Sequence, residues 1–193
     1  MGTTRRFDAA ERRARLGLRH RLAAGASAAD PADVARSLVA VHGTDPSSVY
    51  LGILARMAGA GITDVERALY EDKTLIRLLG MRRTVFVTTV ELAPVVQAAC
   101  SDAVAANERR KLLRWLADAD VAADVEGWLA RAEQAALAAL AARGEATASE
   151  LAAADPRLAV QIVLGQGTSM GARFNVASRV LLVLAAQGKV VRG

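Results

Sequence analysis

The chain has 193 residues, enough for one large or two small cores, and 53% of them are hydrophobic with only 4% aromatic, a balance that favours close-packed helices over an aromatic-rich sandwich. Twenty-five Lys and Arg against 20 Asp and Glu leave a formal charge of +5, which suits a polyanionic partner without requiring one. A single cysteine, Cys100, excludes an internal disulfide, and with only His20 and His42 beside it neither a metal site nor a cofactor is expected; no leader or membrane-spanning run is legible, so the cytoplasm is the expected location.

Residues 8–22 read as a first helix, with Arg12, Arg13, Arg15, Arg19 and Arg21 around Leu16, Leu18 and Leu22: a solvated basic face or a surface for a polyanion. Asp30-Pro31-Ala32-Asp33 starts a second helix, in which Asp30 caps, Pro31 fits the first turn and Asp33 complements the dipole; it is predicted to run to about Val41. His42-Gly43-Thr44 then forms a corner between helices. Asp45-Pro46 caps the next helix, which carries Tyr50, Leu51, Ile53, Leu54 and Met57. Thr63-Asp64-Val65-Glu66 reads as a capping box for a helix over 64–71. Thr84 to Thr88, rich in β-branched residues, reads as a strand, and periodicity leaves Leu75 to Leu79 open between its hairpin partner and a helix end.

A helical stretch follows over 89–118, weakened at Pro94 and bearing the cluster Arg109, Arg110, Lys111 and Arg114, either a solvated face or a phosphate contact. Another helix runs from Val125 to Arg143, where Gly144 supplies a left-handed stop, and Thr147-Ala148-Ser149-Glu150 is a second capping box. Beyond Pro156 come Leu158 to Leu164, then the glycine-rich Gly165 to Gly171, which lacks the Lys-Ser/Thr ending of a phosphate loop and reads as a connector. A helix over 176–186 and a strand over 188–192 close the chain.

The order of helix, short turn, helix, helix, glycine turn and strand is that of a winged helix. The expected fold is therefore mainly α, made of tandem winged-helix units with short β-strands or wings: one over 1–90, a helical connector over 91–124, and a second over 125–193 that is incomplete at its wing, as if the protein continued. In that order 176–186 would be a recognition helix, although Val180 to Leu184 make it look like core. Among chemical candidates, Cys100 sits among apolar neighbours. His42 and Thr44 stand two residues apart, as a pair that either satisfies local backbone groups or polarises and orients a water molecule.

Val34 to Met57 (VARSLVAVHGTDPSSVYLGILARM), Leu69 to Val87 (LYEDKTLIRLLGMRRTVFV) and Glu91 to Ala98 (ELAPVVQA) resemble the AlkZ-like tandem winged-helix DNA glycosylases, and the similarity is read as covering the whole chain, the front half of a full-length member. In that family a Gln, a spacer and a Gln precede the Asp-Pro corner, and they position water and stabilise charge on the sugar while an alkylated purine leaves; this chain has His42, Gly43 and Thr44 there. The resemblance implies double-stranded DNA, damaged or not, as the partner, no membrane partner, and hydrolysis of the N-glycosidic bond of alkylated or bulky purines, with His42 and Thr44 as the catalytic pair. Phosphate contacts are expected first from Arg82 and Arg83 and second from Arg109, Arg110 and Lys111. The competing expectation is a non-enzymatic winged-helix transcriptional regulator.

Overall fold

A computed structural model describes residues 5–164 and 172–193; the glycine-rich segment read as a connector lies outside them. The chain is mainly helical with two small antiparallel sheets and winged-helix-like wings. It divides into two compact units, residues 1–99 with 191–193, and residues 100–190. No helix among the described residues is long and apolar enough to cross a membrane.

The first unit opens with helix α1 (Ala9–Arg19), started by Asp8, whose carboxylate accepts from the Glu11 amide at 2.7 Å. Helix α2 (Pro31–Leu38) begins as its sequence dictates, with the Asp30 carboxylate accepting from the Asp33 amide at 2.8 Å. It ends earlier than the reading to Val41, because Val39 takes a positive φ of 71° and the chain turns into strand β1 (Val41–His42). The corner expected between two helices is thus a strand end. Helix α3 (Pro46–Leu54) follows, capped by Asp45, then helix α4 (Ile62–Glu66), which continues as a π-helical turn through Glu71. The Thr63–Glu66 capping box does not form: the helix starts at Ile62, and it is the Asp64 carboxylate that accepts from the Gly61 amide, at 2.8 Å.

Leu75 to Leu79 resolves as strand β2, the hairpin partner of β3 (Val85–Thr89). The sheet order is β1-β3-β2, with Val41 opposite Val87 opposite Arg77, and His42 opposite Phe86 opposite Leu78. Val41, Val87 and Leu75 pack with Val34 and Ala35 of α2, Val49 and Ile53 of α3, and Val65, Ala68 and Leu69 of the α4 region into the first core. Because opposed residues in an antiparallel pair share a face, His42 stands on the face away from that core. Helix α5 (Ala93–Val96) and a π-helical turn, Gln97–Ser101, follow.

The second unit holds helices α6 (Asp102–Asp118), α7 (Val125–Arg143), α8 (Ala148–Ala154) and α9 (Pro156–Ala159), the hairpin β4 (Gln161–Leu164) with β5 (Ala172–Asn175), and helix α10 (Val176–Ala186). Gly144 closes α7 at a φ of 81°, a conformation an L side chain would strain, and the Thr147–Glu150 capping box is formed as read. The Thr147 amide and hydroxyl both donate to the Glu150 carboxylate, which holds its pKa below the usual range. Leu112, Leu116, Leu129, Leu151, Leu158, Ile162 and Leu184 form the second core. Two expectations change here. Residues 188–193 form no strand, and the hairpin of this unit precedes α10 rather than following it. Helix α10 itself buries Val176, Ala177, Val180, Val183, Leu184, Ala185 and Ala186, so it belongs to the core and offers a DNA groove little.

Candidate functional site

The stretch Val41-His42-Gly43-Thr44 alternates buried, exposed, buried, exposed, as extended backbone on the rim of a core does. Its shape is held from both sides. The Gly43 amide donates to the Val85 carbonyl at 2.8 Å, and the Ser48 hydroxyl of α3 lies 3.2 Å from the His42 carbonyl that accepts from it. A Cβ on Gly43 would meet Val87 Cγ2 at 3.3 Å, Val49 Cγ2 at 3.4 Å and the Val85 carbonyl at 3.5 Å, so glycine lets the strand lie close against the core. His42 and Thr44 are both exposed, with the imidazole edge-on to the Phe86 ring at 5.9 Å and 84°.

The hairpin between β2 and β3 turns through Met81–Arg83, closed by the Gly80 amide donating to the Thr84 carbonyl at 2.9 Å. Arg82 and Arg83 are exposed at its tip, both in the left-handed region with φ of 56° and 64°. A side chain seldom adopts that conformation, and two consecutive ones store strain of about 1–2 kcal/mol each. Phe86 ties this turn to the histidine: its ring covers Gly80 so closely that a Cβ there would lie 2.8 Å from Cδ2, and the same ring meets His42. The register brings the 42–44 stretch and the 81–83 turn to one end of one sheet.

Arg109, Arg110 and Lys111 lie on α6, in the other unit. Arg109 donates to Glu126 at 3.0 Å and to the buried Glu133 at 3.3 Å, both on α7, and Lys111 donates to the buried Glu108 at 2.9 Å. Those two charges are paired within the chain. Arg110 is exposed.

A pair that sequence reading passed over stands on the core side of the first sheet. Arg77 donates to the Tyr70 hydroxyl at 2.6 Å and lies over its ring at 5.4 Å, while burial, and after it the adjacent Tyr70, push the Tyr50 phenol upward in pKa. These residues come from β2, the end of the α4 region and α3, so no spacing announced them. Phe86 and Gly43 were missed for the same reason.

A family model described as DNA glycosylase AlkZ-like matches residues 35–193. The chain belongs to the AlkZ-like DNA glycosylases. Membership ties it to DNA as substrate and to base excision, a hydrolytic step of DNA repair. The match begins at Ala35, so residues 1–34, α1 among them, fall outside the similarity that the sequence reading had extended over the whole chain. Searches of the curated proteins and of the solved structures found no match.

Proposed function

We propose that this AlkZ-like chain hydrolyses the N-glycosidic bond of alkylated or bulky purines in duplex DNA, with His42 and Thr44 as the catalytic pair and Arg82 and Arg83 as phosphate contacts. The observation that carries the reading is the shared sheet end: an exposed imidazole on an anchored strand with an exposed hydroxyl two residues on, beside a strained turn tipped with two arginines. Positive φ also occurs at Arg21, Val39, Lys73 and Asp120, so the strain of this turn supports the reading only together with its two exposed arginines at the sheet end. The order helix, strand, helix, helix, hairpin from α2 onward in the first unit, and helix, helix, helix, hairpin from α7 onward in the second, support two winged-helix units, the turn 81–83 being the wing of the first.

An N7-alkylated purine is a cationic leaving group. When the bond from the sugar C1′ to N9 breaks, its electron pair returns to the base, and the positive charge that develops on the sugar is quenched by water. His42 accepts the proton of that water while Thr44 orients it by hydrogen bonding. The arginines hold the backbone in register and carry no sequence information. The competing regulator reading needs α10 in a major groove, and the burial of α10 opposes it.

His42→Ala is expected to slow release of N7-methylguanine from a duplex oligonucleotide by about 100-fold in single-turnover measurements, the lower range for a general base. Unchanged release would remove His42 from the reaction.

A further inference from the structure

Helix α1 has no structural duty that the fold reveals: none of its residues is buried. The segment that contains it nonetheless carries the charge of the protein. Residues 5–22 hold seven arginines against Asp8 and Glu11, an excess of five, and residues 23–193 hold 18 basic and 18 acidic side chains, so the whole formal +5 resides in this segment. Glu11 is engaged by Arg5 at 2.7 Å and Arg15 at 3.0 Å, and both of those guanidiniums also stack on Phe7. Arg12, Arg13 and Arg19 meet no carboxylate within ion-pair distance among the described residues. Arg12 and Arg19, seven positions apart, share one face.

A basic helix of this kind suits either an anionic membrane or a nucleic-acid backbone, and its apolar residues decide between them. An interfacial helix needs a continuous apolar face. On α1 that face is shallow and broken: Leu16 and Leu18 are its only large apolar side chains, they point roughly 160° apart at 100° per residue, and the wider arc joining them holds only Ala9, Ala10, Ala14 and Gly17 with Arg13 among them. What remains is a charge display suited to phosphates in water.

We propose that α1 is a DNA-backbone-binding arm, in which Arg12, Arg13 and Arg19 contact phosphates of duplex DNA and strengthen binding without reading sequence. This rests on the DNA glycosylase reading above. The test uses the full chain and a labelled undamaged duplex, with binding measured from 50 to 200 mM KCl. Replacing the three residues together, Arg12→Ala, Arg13→Ala and Arg19→Ala, is expected to flatten the slope of log affinity against log salt by about 0.9 for each phosphate no longer neutralised, up to about 2.7, and to weaken binding at least tenfold at 100 mM. Alanine favours helix, so the far-ultraviolet circular dichroism should persist. The matching Arg→Lys triple should retain the slope, and base release at saturating protein should be unchanged in both.

A slope change below one unit, an equal loss in the Ala and Lys triples, or loss of base release at saturation overturns the arm. So does sedimentation with phosphatidylserine vesicles that the Ala triple abolishes while DNA binding stands. If the parent chain binds DNA and loses slope through Arg82→Gly and Arg83→Gly but not through the α1 triple, only the arm fails. No duplex binding by the parent chain sinks the arm and the phosphate-contact reading together.

Discussion

Gly43 shows how one missing Cβ positions two side chains. With Val87 Cγ2 at 3.3 Å from where that atom would sit, and Val49 and the Val85 carbonyl in ordinary contact at 3.4 and 3.5 Å, Gly43→Ala makes Val87 or the strand give by a few tenths of an ångström. Overpacking of this size costs about 1 kcal/mol, read from the urea midpoint at constant m-value, and base release should fall along with stability if His42 shifts with the backbone. Arg82 and Arg83 answer in the opposite sense. Their φ values favour glycine, so Arg82→Gly with Arg83→Gly should raise stability by roughly 1 kcal/mol or more while flattening the salt dependence of DNA binding by up to about two units. A stability gain without any change in slope would leave the turn strained for no DNA-related reason. His42 and Thr44 stood out as candidates from their spacing before the Asp-Pro cap; their exposure beside the 81–83 turn did not, since it depends on pairing with Val85 and Phe86, more than 40 positions away.

At the scale of elements, caps and stops were the most readable features, because an Asp before Pro, a Thr-x-x-Glu box or a Gly after a helix acts within one turn. Asp30, Asp45, Thr147 and Gly144 all act as their neighbourhoods dictate. Thr63 did not, because Asp64 one residue later reached the Gly61 amide first. The basic cluster on α6 is the sharper lesson. A run of Arg109, Arg110 and Lys111 reads as a surface patch, yet α7 brings Glu126 and Glu133 against Arg109. Removing Arg109 leaves the buried Glu133 without this partner, so Arg109→Ala should cost about 2 kcal/mol in thermal or urea unfolding and leave the salt slope of DNA binding nearly unaltered. A slope loss of a full unit with stability intact would return Arg109 to the DNA interface.

At the scale of the whole molecule, each unit has its own core, and the two tryptophans, Trp115 and Trp128, both pack against the second. Fluorescence therefore reports on residues 100–190. Leu129 is fully buried there, and Leu129→Ala should lower the stability seen by tryptophan emission by about 2–5 kcal/mol, the range spanned by truncated core leucines. A loss under about 1 kcal/mol would mean that α7 does not pack as described.

The sequence by itself determined where most of the capped helices begin, that helices dominate, the identity of β3, the Asp-Pro cap and the family resemblance, because these rest on contacts within a few residues or on patterns carried along the chain. Only the tertiary structure decided that Val41–His42 is a strand, that Leu75 to Leu79 pairs with β3, that α10 is core, and that His42, Phe86 and the 81–83 turn share one sheet end. Each of those outcomes depends on a partner distant in sequence: a strand end reads like a helix corner until the opposing amides and carbonyls take up their hydrogen bonds.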